Sequence, residues 1–388
     1  MAGQLDDVVI VEAVRTPIGR RNGSLKDVRP DELMALTLSE LMRRAGVDPS
    51  LVDDVILGCV AQIGEQGANI ARLAVLEAGF PVEVPAVSLD RMCSSGQQAV
   101  HFAAQAIGSG QADVVIAGGV ESMTRVPMGA DYPATWSPKL MERPDLEISA
   151  NQGISADLIA ETWGLSRDEL DQYAFESHLK AGEASESGRF ASQIVPVEVP
   201  TEAGHLRSFE KDEGIRIPPS LERMAALQPA FGESGTATAG NASQISDGAA
   251  ALLLTSRQKA AELGLRPRAR LRATTVIGSD PLLMLTGPIP ATRKVLARAG
   301  MAISDVDVIE INEAFASVVL AWAREIKPDM ERVNPNGGAI ALGHPLGATG
   351  AILLTKLINE LERSDKHVGL QTMCVGFGQA TATVIERE

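Results

Sequence analysis

Short apolar segments alternate with segments of helical periodicity along the first third of the chain. Three of the apolar segments have the length of strands that are buried on both faces. They are residues 8–14, 52–60 and 112–119. Between the first two, an apolar stripe at helical spacing runs from about Pro30, with two acidic residues in its first turn, to Gly46. Strands that alternate with helices predict an α/β fold with a largely parallel sheet.

The alternation breaks from Glu121 to roughly Gly240, and the opening pattern recurs after Leu271. Much of the intervening segment is rich in proline and contains a helical run from about Ser155 to Gly188, which indicates an insertion that covers part of the fold. The rest of the chain repeats the opening order of strands and helices, so we expect a duplicated unit. The predicted parts are residues 1–119 with 241–268 as the first half, 120–240 as an inserted loop domain, and 269–388 as the second half.

The duplication also predicts which turns correspond. In the register that we favour, helix 67–79 corresponds to helix 287–300. The turn at Cys93 then corresponds either to the turn that begins at Asn312 or to the loop that bears His344. Two halves with facing turns place a site at the carboxyl ends of their strands.

Composition excludes several classes of function. The formal net charge of −15 argues against a nucleic-acid-binding protein, because phosphate neutralisation needs a basic face. The three cysteines are widely spaced, so they predict no disulfide framework and favour a reducing compartment. The acidic start of the chain does not resemble a signal peptide, and no apolar run is long enough to cross a bilayer. We therefore expect a cytoplasmic protein without nucleic-acid or membrane partners.

One cysteine stands where a short apolar strand gives way to a helix. Residues 84–89 are strand-like, and apolar residues recur at helical spacing after Gly96, so Cys93 falls at the start of the helix. The unpaired N–H groups and the positive end of the helix dipole favour thiolate over thiol there, which predicts a nucleophile. The alternative is a cysteine that only fills space, since cysteine is among the most buried residue types.

Three residues of the second half have the side chains that a thiolate nucleophile needs as partners. Asn312 follows an apolar strand and is suited to donate to a developing oxyanion, although a single asparagine in a turn is more often a helix cap. His344 lies in a loop of small residues and is suited to act as a base, although by position alone a structural role is equally compatible. Cys374 ends another strand, and Gly376 after it exposes backbone N–H groups. A base, an acid and an oxyanion donor would complete the chemistry of Cys93.

Six motifs, in order along the chain, resemble those of the thiolases. They are DRMCSSGQQAV, GGVESM, TAGNASQISDGAA, EINEAFA, NPNGGAIALGHPLGATGA and TMCVGFGQA. The resemblance covers nearly the whole chain and implies two similar βαβαβαββ halves in a five-layered α-β-α-β-α arrangement, with a loop domain inserted in the first half. It implies that Cys93 is the acylated nucleophile, that His344 activates it and that Cys374 is a second acid and base. Asn312 would hold the water of one oxyanion hole, and the N–H groups of Cys93 and Gly376 would form the other.

The reaction that the resemblance implies is a reversible Claisen reaction, in which CoA cleaves a 3-ketoacyl-CoA to acetyl-CoA and a shortened acyl-CoA. It implies no metal or redox cofactor, and CoA is a co-substrate. Ser243 matches the serine that contacts the pantetheine arm of CoA. Arg216 matches an arginine beside the nucleotide, and a guanidinium suits a phosphate or an adenine. Members of the family are at least dimers, so a homodimer or homotetramer is implied.

Departures from the family pattern bear on the acyl group. Biosynthetic thiolases have His-Met-Gly where this chain has Asn151-Gln152-Gly153, and the bulky Phe377 interrupts the usual run of three glycines, which is expected to reshape the acyl pocket. The segments RRNGSL, GEQGAN and TVIERE are more similar to actinobacterial thiolases of fatty-acid and steroid breakdown. Two rival functions share the fold. A ketosynthase-type condensing enzyme would lack a second catalytic cysteine, and a catalytically silent acyl-CoA or lipid carrier would not need the reactive residues.

Overall fold

The computed structural model describes residues 7–143, 151–201 and 204–388. The first six residues, on which part of the signal-peptide prediction rests, lie outside this part of the chain. None of the described helices is both long and apolar enough to cross a membrane.

The regular elements follow the order expected for an interrupted duplication. The described strands are β1 Val8–Arg15, β2 Gly19–Arg20, β3 Asp54–Gly58, β4 Ala86–Leu89, β5 Val114–Ser122, β6 Val197–Pro200, β7 Leu206–Phe209, β8 Ser246–Ser256, β9 Ala269–Gly278, β10 Val308–Ile311, β11 Val368–Val375 and β12 Gln379–Arg387. The described α-helices are α1 Pro30–Ala45, α2 Ile70–Glu77, α3 Ser95–Gly108, α4 Pro138–Met141, α5 Gln152–Thr162, α6 Arg167–Glu186, α7 Leu221–Ala225, α8 Arg257–Glu262, α9 Pro288–Ala299, α10 Ala316–Ile326, α11 Ala339–Leu342 and α12 Leu346–Arg363. Short 3₁₀ helices lie at Pro49–Leu51, Gly64–Gln66, Met284–Thr286, Ile303–Asp305 and Met330–Arg332.

One large sheet contains the described strands other than β6 and β7, which pair with each other. Its order is β10-β11-β12-β9-β1-β8-β5-β3-β4, with β2 beside β8. Within it, β3 runs parallel to β4 and β5, and β10 runs parallel to β11, whereas the remaining pairs are antiparallel. The prediction of a largely parallel sheet was therefore wrong. The reason is that the last strand of each half, β8 or β12, runs antiparallel to both of its neighbours; β12 follows β11 through a tight turn, without a crossover helix.

The sheet consists of two halves joined by a short contact, in which Val9 and Ile10 of β1 pair with β9. The first half has the order β1-β8-β5-β3-β4. The second has the order β9-β12-β11-β10 and ends in a parallel bridge between Ile309 and Val333. Corresponding pairs run in the same direction in both halves, so the second half repeats the first.

An aspartate before the second main strand of each half fixes the register of the repeat. Asp53 accepts hydrogen bonds from two successive N–H groups at the start of β5, at 2.7 and 2.9 Å. Asp307 accepts from two at the start of β11, at 3.0 and 2.9 Å. By this order α9 corresponds to α1, and α10 to α2, so the predicted equivalence of helix 67–79 with helix 287–300 was wrong. The turn at Cys93, before α3, corresponds to the loop that bears His344, before α12.

Three buried apolar clusters separate the layers, because alternate residues of a strand face opposite sides of the sheet. Val9 and Val11 of β1 face the cluster of α1 and α2, whereas Val8 and Ile10 face that of α3 and α12. On the second half, α9 and α10 cover the outer face around the fully buried Trp322. Because α3 and α12 pack against each other between the two sets of strands, the molecule has the predicted five layers.

The segment between β5 and β8 contains α4 to α7 and the pair β6 and β7. The helical run that we predicted here as one is two helices, α5 and α6. Gly164 ends the first with a φ of 58°. Ser166 then begins the second by accepting a hydrogen bond from the N–H of Glu169 at 3.2 Å. A fully buried ion pair between Arg15 and Asp212, at 2.7 Å, ties this segment to β1.

Candidate active site

Cys93 lies in the turn between β4 and α3, two residues before the helix begins. Met92 before it adopts a φ of 45°, a left-handed conformation that is uncommon outside glycine. The hydroxyl of Ser94 after it is hydrogen-bonded to the hydroxyl of Thr381 at 2.8 Å. This contact holds the turn against β12, so the nucleophile predicted from the first half meets the strands of the second.

Three N–H groups favour the thiolate form of Cys93: those of the Gln152 side chain, the Cys93 backbone and the Gly376 backbone. Burial nevertheless raises the pKa of the Cys93 thiol to about 11, because the hydrogen bonds oppose only part of the desolvation. The expectation that the helix start makes this residue a thiolate was therefore wrong for the folded chain. A neutral thiol needs a base that takes its proton before it can attack.

His344 lies in the loop that leads into α12, and it is 4 % exposed. Its backbone N–H is held by the Gln244 carbonyl at 3.3 Å and the Ser246 hydroxyl at 3.2 Å. Its Nδ1 lies 2.6 Å from the hydroxyl of Thr349, which donates its own proton to the Pro345 carbonyl at 2.7 Å. The Thr349 hydroxyl has one proton and uses it in this bond, so it must accept a hydrogen bond from Nδ1–H of His344. The proton of the neutral ring is therefore on Nδ1, and Nε2 is unprotonated. Burial lowers the pKa of His344 to about 4, so the ring is neutral at pH 7 and Nε2 can accept a proton.

Asn312 connects His344 with the second cysteine of the site. Its Nδ2 lies 3.4 Å from Nε2 of His344, and its side chain also hydrogen-bonds the thiol of Cys374. Its Oδ1 is buried and has no hydrogen-bond partner in the described part of the chain. Burial raises the pKa of Cys374, the nearby Cys93 raises it further, and the bond from Asn312 opposes the rise. Cys374 is therefore a protonated thiol at pH 7, suited to donate a proton.

Gly376 belongs to the tight turn between β11 and β12. The next residue, Phe377, adopts a φ of 61°. Its ring packs against those of Trp136 and Tyr132, with centroids 5.4 and 6.1 Å apart. The bulky residue in the glycine run thus forms one side of an aromatic cluster, while the N–H of Gly376 stays directed at Cys93.

A narrow pocket lies beside Cys93, and its walls are mostly apolar. Tyr132 and Gln152 contribute polar groups to it, as does the buried Glu121. The other lining residues include Val60, Ala61, Met92, Met123, Val126, Met128 and Leu346. From the sequence we noted Gln152 only as a departure from the family pattern, and we missed Tyr132. Both lie where the regular alternation breaks, so no periodicity could place them.

Ser243 lies directly beside the reactive cluster. Its N–H donates to the carbonyl of Ala314 at 2.9 Å, in the turn that begins with Asn312. The next residue, Gln244, accepts from the N–H of His344. Ser243, which we predicted to contact the pantetheine arm, is therefore close to the turn of Asn312 and to the loop of His344.

Arg216 lies farther out, exposed on the loop that follows β7. That loop is joined to the site through Gln244, whose side chain donates to the carbonyl of Gly214 at 3.0 Å and to that of Ile340 at 2.8 Å. The guanidinium is thus on the surface of a loop that packs behind Ser243.

A buried carboxylate that we did not identify from the sequence supports the site. Glu121 accepts hydrogen bonds from the N–H of Val60 at 2.9 Å, the N–H of Gly347 at 2.8 Å and the side chain of Gln66 at 2.7 Å. It thereby joins the end of β3 to the start of α12, next to the loop of His344. A charged residue inside a strand that is otherwise apolar was the signal that could have found it.

Taken together, a neutral thiol, a neutral imidazole, a second thiol and converging N–H donors are suited to acyl transfer through a thioester. Among the described residues, no group of three or more His, Cys, Asp or Glu side chains is arranged to hold a metal ion.

Comparison with known proteins agrees with this chemistry. The family profile for the thiolase N-terminal domain matches residues 8–258, and that for the thiolase C-terminal domain matches residues 265–387. The chain is 51 % identical to the steroid 3-ketoacyl-CoA thiolase FadA6 of Mycobacterium tuberculosis, across 99 % of this chain and 95 % of that protein. It is 46 % identical to the 3-ketoacyl-CoA thiolase of Klebsiella pneumoniae, across 99 % of this chain and all of that one.

The fold of this chain is also similar to that of a solved structure. The acetyl-CoA acetyltransferase of Bacillus anthracis superposes with a TM-score of 0.91 and 42 % identity, over 99 % of each chain. The thiolase fold predicted from the sequence is confirmed, and the resemblance to actinobacterial steroid thiolases is supported by the mycobacterial relative. With both family profiles and relatives of this similarity along its whole length, the chain belongs to the thiolase family.

Proposed function

We propose that the protein catalyses CoA-dependent thiolytic cleavage of a 3-ketoacyl-CoA to acetyl-CoA and a shortened acyl-CoA. The observation that carries this proposal is the convergence of Cys93, His344, Asn312 and Cys374 beside the N–H of Gly376. Relatives that are named 3-ketoacyl-CoA thiolases and are 46 % and 51 % identical to this chain support it.

In the first half-reaction, Cys93 becomes acylated. Nε2 of His344 takes the proton of the Cys93 thiol, and the thiolate attacks the 3-keto carbon. Asn312 lies where it can hold a donor against the developing oxyanion. The bond between C2 and C3 then breaks, and the acetyl-CoA enolate takes the proton of Cys374. Acetyl-CoA leaves, and the acyl group stays on Cys93 as a thioester.

In the second half-reaction, CoA removes the acyl group. The Cys374 thiolate takes the proton of the CoA thiol, which attacks the thioester carbonyl. The N–H groups of Cys93 and Gly376 are directed at this position and would stabilise the oxyanion. Cys93 leaves as a thiolate and recovers its proton from His344, so that both cysteines end as thiols.

For CoA itself, we propose that Ser243 contacts the pantetheine arm and that Arg216 contacts the nucleotide. Ser243 adjoins the cluster through its bond to Ala314, which supports its place beside the thiol end of CoA. The exposed guanidinium of Arg216 is free to meet an anionic or aromatic group at the surface. The proposed reaction moves protons between side chains and needs no metal or redox cofactor.

We further propose that the chain forms at least a homodimer through β4. This strand is the outermost of the sheet, so one of its edges has no partner among the described strands. Large apolar side chains are exposed on it and on neighbouring segments, including Val87 at 44 %, Val82 at 69 % and Phe102 at 42 %. An open apolar edge of this kind is normally covered, and a second copy would cover it. Sedimentation of the protein and of Val87→Lys would test this, with a monomer expected only for the variant.

Two proposals rest mainly on the sequence. The chain divides into residues 1–119 with 241–268, an insertion of 120–240, and residues 269–388. Its three cysteines are free and buried, which supports a reducing, cytoplasmic location.

The decisive experiment combines turnover with adduct mapping. The protein is incubated with 3-ketoacyl-CoA substrates of several chain lengths and CoA, acetyl-CoA formation is followed, and any adduct is located by mass spectrometry. We expect the acyl group on Cys93, and loss of both turnover and adduct in Cys93→Ala. The matched control is Cys59→Ala, which removes a buried thiol at the end of β3 and should leave turnover intact.

The same experiment separates the rival functions. A silent acyl-CoA carrier would bind substrate without turnover, and a ketosynthase-type enzyme would not depend on Cys374. An adduct on another residue, or unchanged turnover in Cys93→Ala, would contradict the proposed mechanism.

A further inference from the structure

Gln152 is the first residue of α5, and two contacts fix its position. The side chain of Asn151 caps the helix by accepting a hydrogen bond from the N–H of Gly153 at 3.0 Å. Gly153 lies flat against the ring of Phe231, where a Cβ would come within 2.0 Å of the ring. Phe231 in turn packs edge-on against Phe315, with ring centroids 5.7 Å apart. The Asn-Gln-Gly departure from the family pattern therefore forms a defined helix start that is packed onto the second half.

From this position, the amide of Gln152 reaches the centre of the site. It lies beside Cys93 in the wall of the narrow pocket, where its N–H groups favour the thiolate form of that cysteine. Its Nε2 also lies 3.3 Å from the point that a Cβ on Gly376 would occupy. The Gln152 amide, the Cys93 N–H and the Gly376 N–H thus lie together beside the reacting cysteine.

We propose that Gln152 is a catalytic residue that supplies a third N–H donor to the reacting centre at Cys93, alongside the two backbone donors. This inference rests on the proposed function, and it adds a side chain to the donors that the family resemblance implies. Its amide stabilises the negative charge of the Cys93 sulfur before attack and when Cys93 leaves the acyl group. It also lies beside the backbone N–H groups that would receive the oxyanion of the second half-reaction.

The surroundings of Gln152 favour this role over simple packing. The other residues that line the pocket are mostly apolar, among them Met123, Val126, Met128 and Leu346. A primary amide in such a pocket costs free energy unless its N–H groups find an acceptor, and here the nucleophile lies beside it. A methionine, which biosynthetic thiolases carry at this place, would fill similar space without any donor. Gln152 therefore places a donor beside the reacting atom where a methionine would leave an apolar contact.

Two variants separate the hydrogen bond from the packing. Gln152→Met keeps the length of the side chain and removes the donor. Gln152→Glu keeps the shape of the amide but places an acceptor, and at neutral pH a negative charge, beside the sulfur. Thermal unfolding shows whether each variant is folded, and Ile154→Ala, an exposed position on the same helix, is the control for the stability of α5.

The first readout is transfer of the acyl group from acylated Cys93 to CoA in a single turnover. We expect transfer to be about a hundredfold slower in Gln152→Met, as for loss of one donor in an oxyanion site, and slower still in Gln152→Glu. The KM for CoA should change little. Unchanged transfer in folded Gln152→Met would overturn the proposal, as would a rate in Gln152→Glu equal to that of the unmodified protein.

The second readout does not depend on thiolase activity. Alkylation of Cys93 by iodoacetamide is measured against pH, with the modified peptide identified by mass spectrometry. In both variants the profile should move to higher pH, whereas a purely structural residue would leave it in place. If the unmodified protein cleaves no 3-ketoacyl-CoA, the proposed function fails, yet the alkylation profile still decides whether Gln152 bonds the nucleophile. A profile that is identical in Gln152→Met refutes the hydrogen bond.

Discussion

The two halves of the sheet carry different residues at equivalent strand ends. When the halves are aligned on the aspartates that precede β3 and β10, Gly58 corresponds to Asn312 and Val120 corresponds to Cys374. The backbone pairing is the same in both, with parallel strands of the same order. At these two positions the first half has no reactive side chain, whereas the second has an amide and a thiol.

The central helices explain this difference. The start of α12 lies on the strand ends of the first half, where a Cβ on Gly58 or Gly119 would come within 2.7 or 2.1 Å of the Gly347 carbonyl. The start of α3 lies on the second half, where Ser94 is bonded to Thr381. Backbone packing therefore closes one set of strand ends, whereas the other set has room for side chains and receives Cys93. The same arrangement of strands is therefore closed by backbone packing in the first half and carries reactive side chains in the second.

The largest effect should come from Cys374→Ala. We expect turnover to fall about a thousandfold, since proton transfer by a positioned group typically contributes 10²–10⁴-fold, while acetyl-CoA still acylates Cys93. The equivalent substitution in the first half, Val120→Ala, should cost about 2 kcal/mol of unfolding free energy and change turnover little. Steady-state kinetics and the intact mass of the acylated protein measure both. Equal turnover in the two variants would remove the functional distinction between the halves.

The next effect should come from Asn312→Ala, which removes the bridge between His344 and Cys374. Loss of an oxyanion-site donor is expected to lower kcat about a hundredfold, with a small change in KM. Asn359→Ala is the control, because this buried amide bonds Ser192 and Arg268 away from the site. A kcat for Asn312→Ala that matches the control would show that the amide holds no donor in place.

Gly119→Ala tests whether backbone packing closes the strand ends of the first half. The new Cβ would lie 2.1 Å from the carbonyl of Gly347, so α12 must shift. Overpacking of this kind costs roughly 1–3 kcal/mol of unfolding free energy, and chemical denaturation measures it. Gly278→Ala is the matched control in a strand of the second half, since nothing lies within 4 Å of its added Cβ. A stable Gly119→Ala would mean that backbone packing does not exclude side chains there.

The last prediction concerns the pH dependence of the Cys93 thiol. Burial raises its pKa to about 11, so the thiolate fraction, and with it the rate of alkylation by iodoacetamide, should rise about tenfold per pH unit between pH 7 and 10. The profile should be the same in Cys59→Ala, which removes the other thiol of the first half. A plateau below pH 9 would show that the helix start, and not burial, controls this thiol.

Regular elements were predictable where one periodicity ran without interruption. The helix predicted from Pro30 to Gly46 is Pro30–Ala45, and Gly46 ends it with a φ of 66°. The long run after Ser155 was predicted as one helix because its pattern is helical on both sides of residues 164–166. Gly164 and the capping box of Ser166 with Glu169 were the local signals of the boundary. The direction of the strands was harder still to predict, because one sequence pattern is compatible with parallel and with antiparallel pairing.

For the site, the sequence determined which chemical groups were available. Cys93, His344, Asn312 and Cys374 each stand at a turn beside a strand or helix, and local periodicity was enough to place those turns. The six motifs tied them to one family, which the comparisons confirm. No periodicity marked Gln152, and the only local sign of Glu121 was a charge in an apolar strand. The partners of both residues lie more than fifty residues away along the chain.

Only the tertiary structure decided how these groups behave. It placed Cys93 of the first half on the strands of the second, where burial outweighs the helix start and keeps the sulfur protonated. It gave His344 its tautomer through Thr349, and it brought the amide of Gln152 to the nucleophile. The physical reason is that side-chain type and periodicity are local properties of the chain. Desolvation and hydrogen-bond geometry depend instead on segments that meet only when the two halves pack together.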